Sequence, residues 1–180
     1  MPRITVEYHS YQNIVKELKK QTKEIETPEK GETIQIGDLS LKILSIKNDK
    51  TDINNSSIVI RLTYKEQSIL FMADAEKEVE LEILEDDIES DILRVGHHGS
   101  QYATSAQFLK KVNPSIAIIS VGKNNEYGHP KEITLKKLDS LSIKTYRTDQ
   151  DGTILMLSDG IGMEMSTLQT DTNGGDPNRK

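Results

Sequence analysis

The chain has no cysteine and no tryptophan, and aromatic residues make up only 4% of its 180 positions. Without cysteine there can be neither disulfides nor thiolate metal sites, so any metal must be held by oxygen and imidazole ligands. With few aromatics, the core has to be built from Ile, Leu and Val. No apolar run approaches the ~18 residues of a membrane span. The N-terminus has no signal-peptide apolar region, which gives the expectation of a cytoplasmic protein. Excess positive charge is also lacking: the formal net charge is −6. Tight nonspecific binding to phosphate backbones is therefore not expected from charge, and the basic spots at Lys16–Lys20 and Lys136-Lys137 are too small to reverse this. Charged residues reach 29% and hydrophobic ones 34%, a polar composition that still suffices for one domain with a real core at this length.

Hydrophobic patterning divides the chain in two. Weak alternation predicts a strand over 4–8, and apolar spacing predicts a helix over 11–25. Residues 33–36 and 39–44 read as a hairpin around Gly37-Asp38, and 58–64 with 67–72 as a second strand pair. From there the elements alternate. A short acidic helix is expected over 76–84, a buried strand over 91–95, a helix over 105–112 capped by Ser105 or Thr104, an apolar strand over 116–121 and a helix over 133–141. Strands over 143–146, 152–157 and 161–165 complete a domain spanning 1–166, and the polar residues 167–180 read as a disordered tail. Strand pairs followed by βαβα predict an α/β fold, a mixed sheet with helices on one face. The other face needs a separate cover, or it would expose a large apolar patch.

Three of the four histidines sit at expected strand–loop junctions. His97 and His98 stand in Val95-Gly-His-His-Gly-Ser100, where an apolar strand meets a Gly-Ser turn. Neighbours on a strand point to opposite faces, so at most one of the pair can be a core histidine, and the pair reads as a ligand site. Asp74 follows the apolar run 69–72 and precedes a helix. It is either a carboxylate able to bridge metal ions or a helix N-cap. Ser100 is a hydrogen-bonding support, a nucleophile or a turn residue. His129, between Gly128 and Pro130, is either structural or catalytic. Glu76, Glu78 and Glu80 fall on what reads as a solvated acidic helix face, and His9 reads as a surface residue.

Taken in order and spacing, these landmarks resemble a known family. Asn54 with Ser57, Asp74-Ala-Glu76, Val95-Gly-His-His-Gly-Ser100, Ser120-Val-Gly122, Asn125-Glu-Tyr-Gly-His-Pro130, Tyr146-Arg-Thr-Asp149 and Asp151-Gly152 are similar to the later part of metallo-β-lactamase-fold hydrolases. The resemblance is greatest to the soluble domain of the ComEC competence channel. It implies part of an αββα sandwich and a two-metal hydrolysis, with zinc or manganese, of a phosphodiester or similar ester. By that resemblance Asp74 is the metal-bridging carboxylate and His98 the late metal ligand. His97 is its neighbour or a substrate contact, and His129 a catalytic histidine at the rim.

One departure stands out. The family's His-x-His-x-Asp-His motif is absent, since its place would lie upstream of Ile4, and Ala73 stands where the family usually has glycine. Two good ligands are fewer than the three that a catalytic zinc ordinarily takes from protein. The expectations are therefore an incomplete metal site, weak or no activity in the isolated chain, and a partner. The partner would be a missing N-terminal half or a second copy in a homodimer, with nucleic acid only as substrate. The alternative is a non-catalytic scaffold or self-associating interaction module that keeps the fold.

Overall fold

Asp91 and Ser68 fix the register at the centre of the sheet. The Asp91 carboxylate accepts from the Ser68 backbone N–H at 2.7 Å and from its hydroxyl at 2.9 Å, so two strands far apart in sequence start side by side. The computed structural model describes residues 9–21, 27–47 and 52–169. Within these, a helix α1 (His9–Gln21) is followed by strands β1 (Thr33–Ile36), β2 (Leu39–Ser45), β3 (Val59–Tyr64) and β4 (Gln67–Phe71). Then come α2 (Lys77–Glu82), β5 (Ile92–Arg94), α3 (Ala106–Val112), β6 (Ile116–Ile119), α4 (Glu132–Ser140), β7 (Lys144–Arg147), the short α5 (Thr148–Asp151), β8 (Thr153–Ser158) and β9 (Met163–Leu168). The expected strand over 4–8 and residues 170–180 of the expected tail lie outside the described residues. No described helix is long and apolar enough to cross a membrane.

Seven strands form one sheet in sequence order, β1 to β7. The first three pairings are antiparallel and the last three parallel. The switch occurs at β4 because Lys65-Glu66 is a tight turn, whereas each later connection is long enough to carry a helix back along the sheet. This is the mixed α/β sheet expected. Leu70, Leu93 and Ala117 pair across β4, β5 and β6. They face a single apolar cluster with Val79 of α2, Ile83 just after it, Phe108, Leu109 and Val112 of α3, and Leu138 of α4. Complete burial of such side chains is worth roughly 1.5–3 kcal/mol each, which makes this layer the main source of stability. Ser105 caps α3 as expected, its hydroxyl accepting from the Phe108 N–H.

The last two strands form where expected but stand apart. β8 and β9 do not join the main sheet but pair with each other as a separate hairpin. Met156, Ser158 and Met163 turn toward Leu39, Leu62, Tyr64, Ile69 and Ile92, and enclose with them a pocket of about 270 Å³. The chain therefore covers part of the second sheet face itself. β9 also runs to Leu168, past the Met165 expected for the last strand.

The acidic face of α2 needs a correction as well. Glu78 is exposed, but Glu80 is only 1% accessible. Its carboxylate accepts from the backbone N–H groups of Thr104 and Ser105, the latter at 2.9 Å, and so ties α2 to the start of α3. Burial raises the Glu80 pKa above its ordinary value, and the N–H groups only partly offset this. Its proton-linked contribution to stability is therefore complete at low pH and declines as pH rises through the folded value. Glu80→Ala leaves two buried donors unpaired, at roughly 1–3 kcal/mol each. Chemical denaturation of that variant should show a loss of about 3 kcal/mol, whereas Glu78→Ala should stay within about 0.5 kcal/mol of the parent. Equal effects from the two substitutions would contradict this assignment.

Candidate metal centre at the strand ends

In open α/β sheets, ligands bind beyond the carboxyl ends of the parallel strands. Here β4 leads into the loop 72–76, β5 into the turn Gly96–Gly99, and β6 into the loop 120–130. These three loops bring Asp74, the two histidines and His129 to one edge of the sheet.

Backbone geometry is unusual at that edge. Ala73, His97 and His98 all have positive φ, at 49°, 44° and 53°. For a residue with a Cβ this left-handed conformation costs roughly 1–2 kcal/mol. Glycine at position 73 would not carry this cost. The loops are locked by the His97 N–H, which donates to the Ala73 carbonyl at 2.9 Å, and by the Ser100 N–H, which donates to the His97 carbonyl at 2.9 Å. Arg94 adds bonds to the Ala73 and Val95 carbonyls at 3.2 and 2.9 Å. A side chain at Gly96 would meet the Ala75 carbonyl oxygen at 2.9 Å, so only glycine lets these loops approach so closely.

Asp74 and His98 face each other across the edge, with His98 Nε2 3.4 Å from Asp74 Oδ1. Both side chains are open to solvent, 45% and 42% accessible. The other nitrogen of His98, Nδ1, lies 2.6 Å from the Ser120 carbonyl oxygen. A carbonyl can only accept, so Nδ1 carries the proton. In the neutral ring the lone pair is then on Nε2, the nitrogen that faces Asp74. A backbone carbonyl that fixes the tautomer of a histidine is the usual outer shell of a metal-ligating imidazole. Asp74 does not cap α2: Glu76 is the N-cap residue, and no side-chain cap bond forms there. The Asp74 N–H instead donates to the Ser57 hydroxyl at 3.1 Å, and the Glu76 N–H to Asn55 Oδ1 at 3.2 Å.

His97 turns the other way. Its Nδ1 is 2.8 Å from Glu76 Oε1, and its ring packs edge-on against His129 with centroids 5.7 Å apart. Glu76 thus does not lie on the solvated face expected of it. Ser100 is buried, and its hydroxyl accepts from the Tyr102 N–H at 3.3 Å. This fits a support and excludes an exposed nucleophile. His9 opens α1, away from these loops in sequence. Asn125 clamps the His129 loop: its Oδ1 accepts from His129 N–H at 2.9 Å and its Nδ2 donates to the His129 carbonyl at 2.7 Å. Tyr127 stacks on the His129 ring at 6.0 Å. His98, His129, Tyr127, Asn125 and Thr148 line a pocket of about 420 Å³.

Sequence reasoning passed over Arg94 and the paired role of Glu76, because neither stands out in composition or periodicity. Ser57 entered only beside Asn54 in a resemblance, and Asn55 not at all. Among the described residues, no group of three or more His, Asp or Glu side chains converges as a metal-holding set.

No established family profile matches the chain. It is 42% identical over 133 residues to ComE operon protein 3 of Bacillus subtilis, a match covering 72% of this chain and 17% of that protein. It is 38% identical over 101 residues to recombination protein 2 of Haemophilus influenzae, covering 56% of this chain and 13% of the relative. Competence protein ComA of Neisseria gonorrhoeae is 32% identical over 106 residues, with 57% and 15% covered. The chain thus spans about a sixth of the length of the curated relatives it matches. Among solved structures, a Parabacteroides distasonis protein with the provisional name of metal-dependent hydrolase superposes with a TM-score of 0.50 at 15% identity, over 73% of this chain and 60% of that one. That likeness concerns the fold alone.

Burial, then Lys131, then the two neighbouring histidines hold the His129 pKa below the ordinary imidazole value. Its neutral form is favoured by folding, so its contribution to stability is present above that ordinary value and lost as pH falls through the range below it. An NMR titration should give His129 a midpoint below 6.5, the ordinary imidazole value, and Lys131→Ala should raise that midpoint. A midpoint at or above the ordinary value would contradict the placement.

Proposed function

We propose that this chain is the C-terminal part of a metallo-β-lactamase-fold hydrolase of the competence-protein type, acting with a divalent cation on a phosphodiester or similar ester. The observation that carries the reading is the Asp74–His98 pair, a carboxylate oxygen and an imidazole nitrogen 3.4 Å apart with the far side of the imidazole fixed by Ser120. Hard oxygen and imidazole donors suit zinc or manganese. Bound there, such a cation would supply Lewis acidity to activate water and to offset charge on the phosphoryl oxygen.

The chain's own residues have separate tasks in this reading. Asp74 and His98 hold the cation. His97 and His129 contact the substrate, with His129 presented by the Asn125 clamp. Arg94 keeps the Asp74 loop in register through the Ala73 carbonyl. Burial lowers the Arg94 pKa and the nearby Asp74 charge partly restores it, so the two side chains feel one another.

A partner supplies what the pair lacks. Leu39, Leu41, Ile60 and Leu62 on the sheet face opposite the helices are only half-buried, and Phe71 is exposed. The β8–β9 hairpin covers part of this face, and a further sheet would bury the rest. The partner is a preceding half of a longer protein or, failing that, a second copy of this chain. The second reading, a non-catalytic interaction module, draws on the same apolar face.

Hydrolysis of a bis-aryl phosphodiester and of single-stranded DNA, with manganese and with chelator, tests the proposal. Turnover should be slight but manganese-dependent. It should fall by about 10–100-fold or more in Asp74→Ala and His98→Ala, since losing even an outer-shell group costs that much. Ser100→Ala should keep it. Turnover that ignores manganese, or survives Asp74→Ala, would overturn the assignment; none in any metal would favour the interaction module.

A further inference from the structure

Glu76 stands at a place where sequence periodicity puts a solvated carboxylate, yet its side chain is only 15% accessible and meets His97 Nδ1 at 2.8 Å. An ionised carboxylate can only accept, so the His97 Nδ1 carries the proton. No described residue bonds the His97 Nε2. The arrangement repeats, with a different acceptor, the one on the next residue, where the Ser120 carbonyl takes the His98 Nδ1 proton. Two adjacent histidines in left-handed backbone thus have the same nitrogen tied off by two separate parts of the fold. Strained conformations of this kind persist only where the surroundings over-determine them, and they cluster at functional sites.

We propose that Glu76 is a positioning residue for His97: it sets the ring so that the unprotonated Nε2 is left, beside the His129 ring that lines the cleft of about 420 Å³, as an acceptor for an O–H group of water or substrate. The inference deepens the hydrolase reading and rests on it for the identity of the cleft. The tautomer itself does not depend on turnover. Without Glu76, nothing described would hold the Nδ1 proton, and the ring would be free to carry its proton on Nε2 and turn a donor toward the cleft.

Long-range ¹H–¹⁵N correlation of the imidazole rings in the labelled full chain, at a pH where the rings are neutral, tests this directly. In the parent, His97 and His98 should both read as the Nδ1–H form. In Glu76→Ala, His97 should move to the Nε2–H form or to a mixture while His98 stays unchanged. Glu76→Gln keeps the volume and can both donate and accept, so it should give a mixture at His97 with the melting temperature little changed. This isosteric variant decides the matter if the alanine variant does not fold. A parent His97 in the Nε2–H form overturns the inference, as does an unchanged Nδ1–H form in the folded variants. Either result would leave the manganese dependence through Asp74 and His98 untouched, so failure here is distinguishable from failure of the hydrolase reading.

Discussion

The hydrogen bond from the His97 N–H to the Ala73 carbonyl, 2.9 Å long, joins the loop after β4 to the turn after β5. Everything at the candidate site depends on that join. It brings Asp74 and the two histidines, more than twenty residues apart in sequence, within reach of one another. It requires left-handed backbone at Ala73, His97 and His98, and a bare Cα at Gly96. Parallel pairing of Leu70 with Leu93 and of Phe71 with Arg94 delivers the two loops at the same height.

Around this join several polar side chains tie down the loops. Ser57, Asn55 and Arg94 serve the backbone of residues 73–76, while Ser120 and Glu76 each receive a histidine proton. Thr148 holds the next loop, its hydroxyl accepting from the Val121 N–H at 2.7 Å and donating to the Val121 carbonyl at 2.8 Å. Arg147 grips Asp149 through two nitrogens, at 3.0 and 2.6 Å. The short motifs that mark this chain are therefore mostly devices for aiming loops. What they leave exposed are a few atoms, above all Asp74 Oδ1 and His98 Nε2.

Much of this was legible in the sequence, and what escaped did so for physical reasons. The change from paired strands to alternating strands and helices is plain in the hydrophobic pattern, because a buried parallel strand such as Ile116–Ile119 must be apolar on both faces. The His-His-Gly-Ser turn and Asp74 stand out by residue type. The sheet membership of β8 and β9 did not, since alternation marks a strand without naming its neighbours. The burial of Glu80 escapes a sequence reading because its charge outweighs its position. It lies three residues before the buried Ile83 and directly after the buried Val79, on the flank of the apolar stripe, while Leu81 is exposed in its place. The pairing of Glu76 carries no local signal, because its partner is twenty-one residues away across a parallel strand pair.

In the proposed reading, Asp74 and His98 form one oriented pair that would take a single divalent cation loosely until a partner completes the site. Equilibrium dialysis against zinc, with elemental analysis of the parent, Asp74→Ala and His98→Ala, measures this most directly. About one weakly held ion per chain is expected, removed by chelator and lost in both variants, because two protein donors fall short of the three that retain a catalytic zinc. Two ions per chain that survive chelator, or zinc binding unchanged in both variants, would contradict it.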